Sequence, residues 1–150
     1  MRRVSRIVLV LCVLVGGVSG SVSFAMQEHA SQSPQDSVQL ATRQAEGWMA
    51  KLDAGKYEEC WNEASELVRN AVTLEKFESS MKDAREPMGK LNSRKLQSAS
   101  YTTLLPGVPA GEYVVILYET SFEHKPVAQE TVIMSREKDK VWRVAGYYIK

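Results

Sequence analysis

The hydrophobic pattern of this chain changes period once, at Pro87-Met88-Gly89, and that change fixes its fold class. Before it, apolar residues recur at the three-to-four spacing of amphipathic helices. After it, short apolar runs alternate with turn signals, as in strands. Leu40, Ala41, Ala45, Trp48, Met49 and Leu52 form a first helical stripe, with Asp36 or Ser37 as its expected cap and Gly55 suited to its left-handed end. Tyr57, Cys60, Trp61, Ala64, Leu67, Val68 and Ala71 form a second. Thr73 caps a third, with Lys76 where a capping box prefers Glu, and Leu74, Phe77, Met81 and Ala84 form its apolar face until Pro87 and Gly89 stop it.

Four strands are predicted beyond that point, over 90–101, 112–123, 127–137 and 141–149. The segment 105–111, rich in Pro and Gly, links the first two. His124-Lys125-Pro126 and Lys138-Asp139-Lys140 turn the chain between the others, so two hairpins in series imply an antiparallel meander. The expected architecture is α+β: three N-terminal helices packed on one curved four-stranded antiparallel sheet. The second strand is apolar on both faces (Val114 to Tyr118), so its far face also needs cover, from the long loop or a second copy.

The first 25 residues read as a secretory leader. Arg2, Arg3 and Arg6 precede nine unbroken apolar residues from Ile7 to Val15, and Ser23-Phe24-Ala25 fits small-x-small cleavage after Ala25. The apolar run is too short for a membrane-crossing helix, which needs roughly 20 residues, and Cys12 lies mid-run after Leu11, unlike a lipid-modified cysteine. The expectation is an exported chain with no stable membrane span once the leader is removed. A polar tail over 26–36 follows, then one domain over 37–150, a common domain size. Cys60 is then the sole cysteine. No internal disulfide is available, and Cys60 reads as a small buried hydrophobe, with a reactive thiol as the rival reading.

Three leader arginines leave 16 Lys and Arg against 18 Asp and Glu in the remaining chain. No basic stripe marks a nucleic-acid surface. His29 and His124 are the only histidines, and no zinc-ligand spacing, serine-hydrolase elbow, phosphate loop or dinucleotide fingerprint is present. No metal or cofactor is expected.

Several segments carry a family likeness: Leu52-Asp53-Ala54-Gly55-Lys56-Tyr57 with Trp61, Ala84 to Lys90 with Ser93-Arg94, Leu105-Pro106-Gly107 through Gly111-Glu112-Tyr113, and Phe122, Lys125 and Glu130-Thr131. The ending Trp142-Arg143-Val144-Ala145-Gly146-Tyr147-Tyr148-Ile149-Lys150 is the most distinctive. Over residues 40–150 the chain resembles domain-of-unknown-function family 4019, secreted bacterial proteins. The resemblance implies a cone of the cystatin-like or nuclear-transport-factor-2-like kind and a periplasmic location, and assigns no activity. Cys60 departs from the family pattern, where a small polar residue is expected.

Candidate site residues follow from the strands. With a two-residue loop at His124 and Lys125, Glu119 lies opposite Glu130. Their Cβ atoms are then about 4.5–5.5 Å apart, and mutual repulsion makes one of them a candidate proton donor or acceptor. The same register places Tyr113, Val115, Leu117, Val132, Met134, Trp142, Val144 and Tyr148 on their face. A one-residue slip would instead separate the two glutamates. Arg85 and Arg94 are candidates to hold an anionic ligand, and Arg143 is a further ligand-site candidate that could pair with Glu119 or Glu130. For Arg85 the structural alternative is a carboxylate such as Asp83 or Asp53, and for Arg143 it is a surface position. Trp48, Trp61, Phe77, Trp142, Tyr147 and Tyr148 are candidates for a ligand wall, with helical spacing making the first three core residues by default, and Tyr147 and Tyr148 must face opposite sides of their strand. A ligand- or partner-binding module, with a possible homodimer, is the leading reading; a small enzyme using a sheet-borne glutamate is the alternative.

Overall fold

A computed structural model describes residues 33–150. The leader over 1–25 and most of the predicted tail lie outside the described residues. Helix α1 (Pro34–Asp53) starts earlier than either expected cap. Ser33 is the cap: its hydroxyl accepts from the Asp36 N–H at 3.1 Å, and the Asp36 carboxylate accepts from the Ser33 N–H in return. Pro34 supplies the preset φ of the first helical position. The helix ends as the sequence indicates. Gly55 sits at φ +71° while its N–H and that of Lys56 return to the carbonyls of Leu52 and Lys51.

The expected second helix is two helices. Helix α2 (Tyr57–Asn62) and helix α3 (Glu66–Ala71) are separated at Glu63-Ala64-Ser65. The cause is Ser65: its side chain caps α3 on the Val68 N–H, and its own N–H donates to the Val144 carbonyl of the sheet at 2.9 Å. One tertiary hydrogen bond and a new cap outweigh continuation of the apolar stripe. Helix α4 (Leu74–Arg85) is capped by Thr73 as expected and runs into a single 3-10 turn, Glu86–Met88. Gly89 follows at φ +73°, and a Cβ there would lie 2.8 Å from the His124 ring and 2.9 Å from the Glu123 Cβ.

Strands β1 (Leu91–Thr102), β2 (Tyr113–Phe122), β3 (Ala128–Arg136) and β4 (Trp142–Ile149) form one antiparallel sheet in the order β1-β2-β3-β4. This is the meander predicted from the alternating runs and turns, and the molecule is α+β. The helices cover one face. Val114, Ile116, Val132, Met134, Trp142 and Val144 meet Ala41, Ala45, Trp48, Met49 and Leu52 of α1 in the buried core. Each large apolar side chain so buried contributes roughly 1.5–3 kcal/mol.

The β2–β3 register differs from expectation by one residue. Five residues, Glu123 to Val127, connect the strands, because the Glu123 and His124 N–H groups bond back to the Lys90 and Met88 carbonyls before the chain turns. Glu119 therefore pairs with Gln129, and Tyr118 with Glu130. The even residues of β2 face the helices; Val115, Leu117 and Glu119 face away, not inward as the two-residue turn predicts. A register shift in β4 between Val144 and Gly146 brings Tyr147 onto the helix side and leaves Tyr148 58% exposed on the other.

Candidate functional site

The one-residue shift places Glu130 at the centre of a buried polar cluster. It is fully buried under the C-terminal ends of α1 and α4. Its carboxylate accepts from Arg94 Nε at 2.5 Å and Nη2 at 3.0 Å, from the Thr120 hydroxyl at 2.6 Å and from the Tyr147 hydroxyl at 2.6 Å. Arg85 Nη1 adds a longer contact at 3.5 Å. Both arginines also hold Asp53: Arg85 Nη2 at 2.5 Å, Arg94 Nη1 at 2.7 Å and Nη2 at 3.0 Å. The Arg85 guanidinium lies 4.4 Å from the Phe122 ring centroid, a cation–π contact.

Two carboxylates and two guanidinium groups thus balance in charge. They tie the last turns of α1 and α4 to β1 and β3. Burial opposes ionisation of Glu130, but the bonds from Arg94, Thr120 and Tyr147 overcome it and hold its carboxyl below the usual range. Burial, then the neighbouring Glu130 charge, pushes the Tyr147 phenol far above its ordinary value. A carboxylate with its lone pairs engaged and its charge stabilised is a poor base. Such a cluster serves as an internal clamp whose individual members are costly to remove.

The other sequence candidates are dispersed. Glu119 is exposed on the outer face, in a shallow depression with Gln97, Val127 and Gln129, and makes no pair with Glu130. Arg85 and Arg94 do meet, but through Asp53 and Glu130 of this chain rather than in an open anion site. Arg143 takes the surface alternative and pairs with Asp139 at 2.6 Å. Trp142 is buried. Cys60 is the inert residue expected: fully buried, with burial as the main cause pushing its thiol up to about 12. Its carbonyl accepts from the Trp48 indole N–H at 2.9 Å. Among the described residues, no His, Cys, Asp and Glu group could hold a metal ion, and no helix is long and apolar enough to cross a membrane.

Open space lies instead along the seam between the helices and β4. One pocket of about 260 Å³ has a mixed lining, with Gln44, Asn62, Glu63 and Arg143 around Trp142. A second, of about 210 Å³, is walled by Val68, Val72, Phe77, Met81, Tyr147 and Tyr148. Trp48 and Val144 contribute to both. Of the aromatic wall candidates that sequence reasoning named, Trp48, Phe77, Trp142, Tyr147 and Tyr148 line these pockets and Trp61 does not, while it missed Val68, Val72 and Met81. The break at Ser65, which swings Val68 and Val72 over β4, has no periodicity signal. It also missed Thr120 and the Tyr147 hydroxyl as Glu130 partners, since both depend on strand register.

The family model for proteins of unknown function DUF4019 matches residues 44–147. The chain belongs to that family. The match spans α1 from Gln44 through Tyr147 of β4, and so includes every member of the charge cluster and most of both pocket walls. No curated protein matches the chain.

Proposed function

We propose that this DUF4019 protein is an exported, non-catalytic binding module whose ligand occupies the 210 Å³ pocket between α3, α4 and β4. One observation carries the reading: the buried carboxylate is closed off by Arg94, Thr120 and Tyr147, while an uncharged pocket stands open beside it. Binding sites are concave and mainly apolar with few polar groups, and this pocket has that character. The enzyme alternative on Glu119 or Glu130 has no paired carboxylates to support it. The leader-like start over 1–25 supports export, and helices lying across one antiparallel meander support the cone-shaped fold. Half-buried Val115, Leu117 and Ile133 on the uncovered sheet face, beside exposed Tyr148, support a homodimer as the second reading.

Methyl NMR of the purified mature domain against a panel of small neutral compounds tests the binding reading. Shifts confined to the Val68, Val72 and Met81 methyls are expected. Absence of any compound that moves those signals refutes it. N-terminal sequencing of the protein from the extracytoplasmic fraction should begin at Met26; an intact leader on cytoplasmic protein refutes export.

A further inference from the structure

Resting on that reading, we infer that the α3/α4/β4 pocket selects a compact, neutral, apolar molecule, one aromatic ring or small bicycle, and rejects charged analogues of the same size. The argument starts from the polar groups on its walls. None of the lining residues is ionisable except Tyr147 and Tyr148. The Tyr147 hydroxyl donates to Glu130 at 2.6 Å, and the Trp48 indole N–H donates to the Cys60 carbonyl at 2.9 Å. That leaves the Ser80 and Tyr148 hydroxyls, both on exposed residues at the rim. The deep wall therefore presents methyls, a thioether and ring faces. An ion placed against that wall gives up part of its hydration and meets no charged side chain to compensate, which is unfavourable.

Volume sets the size. An apolar cavity of roughly 150 Å³ takes a single benzene ring, so 210 Å³ admits a ring with a short substituent or a small bicycle. Phe77, Tyr147 and Trp48 offer ring faces and edges for offset or edge-on contact, and Met81 offers a sulfur. The neighbouring 260 Å³ pocket, with Glu63 and Arg143 on its walls, lacks this selectivity.

The test uses three size-matched probes, 3-methylindole, indole-3-carboxylate and 3-(aminomethyl)indole, titrated into the mature protein and followed by methyl NMR. The expected result is saturable binding of 3-methylindole at the Val68, Val72 and Met81 methyls, with both charged probes at least about 10-fold weaker. Val68→Phe, which fills the pocket from a half-buried position, should weaken 3-methylindole at least about 10-fold with the rest of the spectrum retained. Met81→Trp serves the same purpose if Val68→Phe does not fold. Equal or tighter binding of a charged probe at those methyls overturns the neutral-ligand inference and leaves the pocket reading standing. Shifts at Met134 and Val141 instead place the ligand in the mixed pocket and overturn the inference. No shift with any probe overturns both.

Discussion

Replacing Glu130 by Gln tests whether the charge cluster is the structural clamp that its geometry describes. The substitution keeps shape and volume but removes one of two negative charges facing two guanidinium groups. It also puts an amide N–H₂ where a carboxylate oxygen now accepts within 3.0 Å from Arg94, Thr120 or Tyr147. Breaking a buried ion pair on one side typically costs about 3–5 kcal/mol. Arg94 and Asp53 keep 12% and 19% side-chain exposure, so the lower end, about 3 kcal/mol, applies here. For a domain of this size that corresponds to a fall in Tm of roughly 12 °C. Urea unfolding at pH 7 should show a lower midpoint with an unchanged m value. The acid limb supplies a second readout. Because the folded-state pKa of Glu130 is depressed, its stabilising contribution is complete above its unfolded value of 4.5 and is lost as pH falls through the folded value. The wild-type protein should lose stability there more steeply than Glu130→Gln. A cost below about 1 kcal/mol at pH 7, or parallel acid limbs, would refute the clamp.

Three further outcomes follow from the same geometry. Glu119→Gln, on an exposed outer-face residue, should change stability by no more than about 0.5 kcal/mol, and a loss like that of Glu130→Gln would restore the opposed-glutamate register. Gly89→Ala forces a side chain into φ +73° against the Glu123 Cβ and should cost about 1–3 kcal/mol by thermal unfolding, whereas an unchanged Tm would show that this turn is not tight. Cys60, with its thiol held neutral up to about pH 12, should resist iodoacetamide at pH 8 until urea unfolds the domain; rapid labelling of the native protein would contradict its burial.

Most of the element order was legible in the sequence, because helices and strands here follow period and caps. Thr73, Gly55 and Gly89 mark their boundaries where expected, and the four strands lie within a residue of their predicted ends. The misreadings have one kind of cause. Ser65 breaks a continuous apolar stripe because it bonds Val144, about eighty positions away in the chain. The β2–β3 connection takes five residues because Glu123 and His124 bond backward to the chain around Gly89. Neither bond is visible in local composition. The cluster was half legible. Arg85, Arg94 and Glu130 were candidates for their residue type, and Asp53 stood as the structural alternative partner. Tyr147 and Thr120 were hidden because their roles depend on a bulge and a register.

The clamp also bears on how the chain comes into being. Asp53, Arg85, Arg94, Glu130 and Tyr147 lie on five different elements, with partners up to 45 positions apart. A chain that has produced every helix holds only Asp53 and Arg85 of the cluster; Arg94 comes with β1, Glu130 with β3 and the Tyr147 hydroxyl only with β4. The cluster's own contacts, so distant in sequence, are expected to form after the local helix contacts. The clamp is complete only once the final strand, which carries Tyr147, is in place.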